Sequence, residues 1–287
     1  MRIFVLFLSL IMLGQGSALA KTKVVASFSI LADMVQEVAG DNAEVTSIVG
    51  PDADAHLYMP KAGDAIAVAE ADIVFVNGLG FETWVADLIS NSGTNETIVT
   101  VNDKVTPLLV EGEVDPHAWN NIDNGILYVQ AIAAGLSDID PNNAPSYKAR
   151  AASYIEKLEA LDAKARKAIS AVPVEKRIVV TAHDAFGYLA NAYDMTFLAP
   201  VGIDTEAEPS AKELAALIDN LKEVNARAVF VENITNSALI DQISAETGIE
   251  VGGRIYSDAL SVQGSPATSY VAMFEHNVSL LVQKLSQ

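Results

Sequence analysis

The sequence predicts an α/β fold of two lobes, each a mainly parallel sheet flanked by helices, joined by one long rigid helix. Three observations predict it. Short β-branched runs alternate with helical patterns, and such alternation gives parallel sheets covered by helices on both faces. The runs fall into two sets of four. Between the sets lies one long stretch of helical periodicity without a glycine. The alternative architecture is a single larger sheet, with that stretch as an ordinary crossover helix.

Taken in order, residues 1–20 read as a cleaved export leader. Arg2 supplies the positive end, Ile3 to Leu13 an apolar core too short to span a bilayer comfortably, and Ala18-Leu19-Ala20 a small-residue cleavage site. The mature chain is then expected to begin at Lys21, outside the cytoplasm. The alternative is an uncleaved N-terminal anchor. The first strand set is Lys23–Phe28, Glu44–Val49, Asp72–Asn77 and Thr97–Val101, with helical patterns at Ile30–Ala39 and Ala62–Glu70. The second set is Arg177–Ala182, Met195–Ala199, Arg227–Glu232 and Glu250–Gly253, with a helical pattern at Ala211–Val224. In the stretch Pro145–Ala171, apolar or small residues stand at Tyr147, Ala151, Tyr154, Leu158, Leu161, Ala165 and Ala168. Steps of four and three put them on one helical face. The expected division is a leader over 1–20, an N-terminal lobe over 21–140, the linking helix within 141–172, and a C-terminal lobe over 173–287.

Composition narrows the function. Lys and Arg number 18 against 37 Asp and Glu, a formal net charge of −19. Such a surface repels phosphate backbones, so no nucleic-acid partner is expected, and no polybasic patch offers itself to anionic lipid. The chain contains no cysteine, which removes disulfides, thiolate metal ligands, cysteine nucleophiles and a cysteine-linked lipid anchor together.

The four histidines carry the rest. His56 follows the strand ending at Val49, His117 lies in Asp115-Pro-His117-Ala-Trp119, and His183 comes straight off the run Arg177–Ala182. Ligands of open α/β sheets bind at the carboxyl edge of the strands, and nearby prolines or the strand end itself fix each of these three. Asp258, in the loop after Glu250–Gly253, is the acidic candidate at the same edge. Spacings of 61, 66 and 75 residues put two candidates on each side of the long helix. If both lobes turn this edge toward one cleft, three imidazoles and a carboxylate meet there, a set suited to a borderline dication, zinc above all. Taken singly, each histidine is as well read as a hydrogen-bonded structural residue, and Asp258 as a turn or cap residue. His276 reads as a surface or packing residue of a C-terminal helix.

Six motifs occur in one order: Gly50-Pro-Asp-Ala-Asp-Ala-His56 with Tyr58 and Pro60; Asn77-Gly-Leu-Gly-Phe-Glu-Thr-Trp84; Asp115-Pro-His117-Ala-Trp119; His183-Asp-Ala-Phe-Gly-Tyr188; Thr205-Glu-Ala-Glu-Pro-Ser210; and Tyr256-Ser-Asp258-Ala-Leu260. In these the chain resembles the metal-binding solute-binding proteins of ABC importers for zinc and manganese, the cluster A-I periplasmic family. The resemblance implies a metal held between two lobes linked by a long helix, with His56 and His117 from the first lobe and His183 and Asp258 from the second. It also implies that His183, where manganese binders usually carry Glu, favours zinc. Many zinc members carry a His- and acid-rich loop ahead of the second ligand; the corresponding stretch here, Thr106–Val114, is short and lacks histidine.

The expected function is capture of Zn2+, with Mn2+ as the alternative cargo, in the periplasm and delivery to the cognate ABC-transporter permease. A metallochaperone is a second conceivable partner, and the chain is expected to act as a monomer. Asp184, Glu206 and Glu208 are candidate acceptors for imidazole N–H groups. The long helix is expected to limit closure to a small shift. Rival readings are a manganese or iron binder of the same family, an adhesin, and a zinc hydrolase. The last wants three ligands, an open water position and a nearby base, and no Glu stands at a motif-defined offset from these histidines.

Overall fold

A computed structural model describes residues 21–287 apart from Glu111, Glu208 and Asn225. The leader assigned to residues 1–20 lies outside the described residues.

The first sheet comprises β1 (Thr22–Phe28), β2 (Ala43–Val49), β3 (Ile73–Val76) and β4 (Thr97–Thr100), in the order β2-β1-β3-β4 and parallel throughout. The second comprises β7 (Ile178–Val180), β8 (Thr196–Leu198), β9 (Ala228–Glu232) and β10 (Val251–Ile255), in the order β10-β9-β7-β8, again all parallel. Both sets of four therefore form sheets, rather than one larger sheet. The central strands are buried on both faces: all four residues of β3 are buried, which is why it reads as an unbroken apolar run.

Helices supply the crossovers. They are α1 (Ser29–Ala39), α2 (Ala62–Glu70), α3 (Val85–Ser92) and α4 (Ile122–Ile139), then α5 (Ala144–Ser170), α6 (Gly187–Tyr193), α7 (Ala211–Val224), α8 (Ala238–Thr247) and α9 (Tyr270–Leu285). The 27 residues of α5 make a rod of about 40 Å. It packs on α1 and α4 of the first lobe and on α9 of the second, so it spans both lobes. Its buried face is the expected stripe Tyr147, Ala151, Tyr154, Leu158, Leu161 and Ala165, closed by Ile169 rather than Ala168. Ile169 is the next residue four on from Ala165 and brings the larger apolar surface. No helix among the described residues is long and apolar enough to cross a membrane.

One element escaped the sequence pattern. β5 (Leu108–Val110) and β6 (Glu113–Asp115) form an antiparallel hairpin that takes up most of the stretch Thr106–Val114 and runs one residue past it. Gly112, at φ +96°, takes a turn conformation that a side chain would resist. The hairpin matters because β6 ends on Asp115, two residues before His117.

Candidate metal centre

The three imidazoles and Asp258 meet. His56, His117, His183 and Asp258 each offer one ligand atom, and these atoms all lie within 4.8 Å of one another. His56 Nε2 stands 3.2 Å from His117 Nε2 and 3.3 Å from Asp258 Oδ2. His183 Nε2 is 3.1 Å from Asp258 Oδ2, and His117 Nε2 is 3.7 Å from Asp258 Oδ1. A zinc tetrahedron with bonds of about 2.0–2.1 Å has edges of about 3.3–3.4 Å, so these separations match the donor cage of such an ion. Three of the four residues are fully buried, and His56 is 6% exposed.

Each residue is placed by its own local structure. The loop after β2 is held by Asp54, whose Oδ1 accepts the backbone N–H of His56 at 2.8 Å, and by Trp84, whose indole N–H donates to the Ala55 carbonyl at 2.8 Å. Beneath His117, Asp115 Oδ1 accepts both the backbone N–H, at 2.9 Å, and ring Nδ1, at 2.8 Å. A Cβ on Gly187 would stand 2.5 Å from the other Asp115 oxygen, so α6 can close over that carboxylate only through a glycine. His183 extends β7 by way of a bridge to Val201. Glu232, the last residue of β9, accepts the backbone N–H groups of Ala182 and His183 on Oε1, at 2.8 and 2.9 Å. Its Oε2 lies 2.7 Å from His183 Nδ1 and takes the Ser257 hydroxyl. The Asp258 loop is pinned by Asn277, which bonds both backbone groups of Tyr256, and by the Trp119 indole, which donates to the Ser257 carbonyl at 2.8 Å.

These contacts fix the tautomers. The Asp115 carboxylate bonded to Nδ1 of His117 keeps the proton there and leaves the Nε2 lone pair facing the centre; Glu232 lies against Nδ1 of His183 at ion-pair distance and favours the same arrangement. Both oxygens of Asp258 are buried without a hydrogen-bond donor, the state of a carboxylate made to receive a cation. In the metal-free protein, protons take that place. Burial pulls the His117 pKa down, but the charges of Asp258 and Asp115 prevail and hold it at about 9. Burial likewise opposes protonation of His183, yet Glu232 and Asp258 raise it well above the ordinary histidine value. Asp258 is driven well below the usual carboxylate range, with burial acting against the pull of His117 and His183.

Asp115 and Glu232 stand against Nδ1 of His117 and His183, two acids that the sequence motifs did not single out. Of the candidate acceptors, Glu206 is exposed beside a small cavity that reaches His56, Asp184 donates its backbone N–H to the Gly202 carbonyl, and Glu208 lies outside the described residues. A signal existed for Asp115, since an Asx two residues ahead of a backbone N–H commonly caps it. His276 behaves as read: it lies on α9, where Nε2 bonds the Arg254 carbonyl at 2.9 Å.

Comparison with known proteins places the chain among metal-binding components of importers. Residues 24–284 match the family model ZnuA, zinc-uptake complex component A periplasmic. The chain is 34% identical over 266 residues to the manganese-binding lipoprotein MntA of Halalkalibacterium halodurans, covering 92% of this chain and 89% of that protein. Among solved structures, the periplasmic zinc-binding protein TroA from Treponema pallidum superposes with a TM-score of 0.90 at 29% identity, covering 93% of this chain and all of that one. A Mn-bound periplasmic metal-binding protein from Candidatus Liberibacter asiaticus superposes with a TM-score of 0.84 at 30% identity, covering 92% of this chain and 100% of that one.

Proposed function

We propose, from the premise that this chain belongs to the ZnuA family of periplasmic zinc-uptake components, that it captures zinc between its lobes and hands it to a membrane permease. As a member of that family the chain is a periplasmic metal-binding component of an ABC importer and not an enzyme. In our reading the ligands are His56, His117, His183 and Asp258, with lobes over 21–140 and 173–287 and the linking helix within 141–172. All four come from one chain, so a monomer suffices.

The observation that carries the reading is the closeness of the four donor atoms, all within 4.8 Å of one another, with three of the four residues fully buried and His56 nearly so. Three nitrogens and one oxygen suit zinc better than harder cations. Asp115 and Glu232 raise the basicity of the imidazoles they touch. With Asp258 they set three carboxylates around a dication, which favours the ion's retention in a buried site.

Manganese is the second reading. Asp258 turns Oδ2 toward His56 and His183 and Oδ1 toward His117, so both oxygens could bind a larger ion with more ligands. Relatives named for manganese support it. The metal carried by protein isolated without added metal, counted by elemental analysis, decides between them, because zinc outcompetes manganese at most nitrogen and oxygen sites. About one zinc per chain supports the first reading; manganese in its place would reverse the assignment.

A further inference from the structure

Glu82 is a buried carboxylate of the first lobe that is not itself a ligand candidate. It stands in the turn between β3 and α3, at the carboxyl edge of the first sheet, and three donors converge on it. Its Oε1 accepts the hydroxyl of Ser27, on β1, and the Asn77 N–H at 2.7 Å; its Oε2 accepts the Gly78 N–H at 3.2 Å. Burial raises its pKa, and these donors work against that rise.

The arrangement repeats that of Glu232 in the second lobe. There, too, a buried acid accepts two consecutive backbone N–H groups just past a central strand, those of Ala182 and His183 after β7, and one serine hydroxyl, that of Ser257. In the first lobe the two N–H groups follow β3, the strand that pairs with β1. Each lobe therefore fastens the strand end beside the metal centre with one buried carboxylate.

The turn that Glu82 closes is not one the chain adopts freely. Gly78, Leu79 and Gly80 all have positive φ, at +87°, +54° and +82°. A leucine resists that conformation, so the surroundings must impose it. Glu82 does so by tying the Asn77 and Gly78 N–H groups together and by fixing the turn to β1 through Ser27.

The same turn grips both first-lobe ligand candidates. On one side the Asn77 amide donates from Nδ2 to the Pro116 carbonyl at 3.0 Å, while its Oδ1 takes the Tyr128 hydroxyl at 2.6 Å; Pro116 is the residue before His117. On the other side the Trp84 indole holds the carbonyl of Ala55, the residue before His56. Between them the fully buried Phe81 ring stands edge-on to both imidazoles, with ring centroids 4.8 Å from His56 and 5.9 Å from His117.

We propose that Glu82 is a positioning residue of the metal centre: by closing the turn over residues 77–84 it holds His56 and His117 at their mutual spacing, and so sets how tightly the ion binds without touching it. The inference rests on the four-ligand reading. The two Nε2 atoms stand 3.2 Å apart, and a donor cage loses affinity when its members stray by about 0.5 Å.

Zinc affinity measured by chelator competition tests this in the wild type, Glu82→Gln and Ser27→Ala, with Glu82→Gln repeated in His56→Ala and His183→Ala backgrounds. Glutamine keeps the size but turns an N–H2 group toward one of the donors. Ser27→Ala keeps the charge and removes only the tie to β1. Glu82→Gln should weaken zinc by about 10–100-fold, and Ser27→Ala by roughly three- to tenfold, the factor of one net hydrogen bond. A residue that acts through His56 and His117 loses part of its effect when His56 is gone and keeps it when His183 is gone. Glu82→Gln should therefore cost roughly threefold less, or smaller still, in His56→Ala than in His183→Ala. The visible absorption of bound Co2+, which follows ligand geometry, should change in Glu82→Gln. A lowered melting temperature with zinc affinity and the Co2+ spectrum both unchanged would overturn the proposal, as would equal losses in the two backgrounds. If His56→Ala and His183→Ala bind zinc as the wild type does, the four-ligand reading fails. If both lose zinc while Glu82→Gln and Ser27→Ala stay within about twofold of wild type, the role of Glu82 alone fails.

Discussion

The Glu232 carboxylate lies 2.7 Å from Nδ1 of His183, and both side chains are fully buried. The same carboxylate accepts two backbone N–H groups at the end of β7 and the Ser257 hydroxyl beside Asp258. One acid thus aligns two of the four candidate ligands, one from each of two loops. Replacing Glu232 with Gln keeps the size and part of the hydrogen bonding but removes the charge. Zinc affinity should fall by about 10–100-fold, with the thermal transition of the loaded protein still cooperative. Chelator competition measures it; affinity within twofold of wild type would show that Glu232 only supports the backbone.

The contact also bears on metal choice. A carboxylate introduced by His183→Glu would lie against Glu232, and two buried carboxylates in contact cannot both stay ionised. The single variant should therefore lose affinity for zinc without gaining manganese. His183→Glu combined with Glu232→Gln should recover manganese binding, because the repulsion is gone and an oxygen donor suits the harder ion. Titration of both variants with both metals checks this, and tight manganese binding by the single variant would contradict it.

Proton competition gives a third expectation. An imidazole must be neutral to coordinate, whereas in the metal-free protein His117 holds its proton to about pH 9 and His183 beyond the ordinary histidine range. Binding at pH 7 should release about two protons per zinc, visible as a buffer-dependent heat in calorimetry. Apparent affinity should fall steadily as pH drops from 9 to 6, well above the window set by the ~6.5 value of a free imidazole. For stability the sign follows from the raised folded pKa. The stabilisation of metal-free protein by His117 is complete below ~6.5 and is lost as pH rises through about 9. Its melting temperature should fall over that range, and a flat profile would count against the buried imidazolium.

Trp119 bridges the lobes. Its indole donates to Ser257, and its carbonyl accepts the Tyr270 hydroxyl at 2.6 Å. Trp119→Phe leaves the buried Ser257 carbonyl without that donor, which should cost about 1–3 kcal/mol in denaturant unfolding. A loss under ~0.5 kcal/mol would mean the carbonyl finds another partner.

Much of this was legible in the residues because it obeys short-range rules. The buried face of α5 follows from steps of three and four, and β3 from an apolar run that no surface strand would carry. His56, His117, His183 and Asp258 could be picked out because chemistry at a sheet edge restricts the residue types, and the family motifs around them pointed the same way. Of the supporting acids, Asp115 left only a capping signal and Glu232 none. Glu232 lies 49 residues from His183 and meets it only because β9 and β7 pair in register, so its role belongs to the topology. Asp115 is close in sequence, but it reaches His117 through a turn set up by a hairpin with weak alternation.

The most direct test of the central claim is anomalous diffraction at the zinc edge from crystals of the zinc-loaded protein. The account predicts one strong peak per chain, about 2.0–2.2 Å from Nε2 of His56, His117 and His183 and from a carboxylate oxygen of Asp258. A peak coordinated by other residues, or none in this cavity at full zinc occupancy, would contradict it.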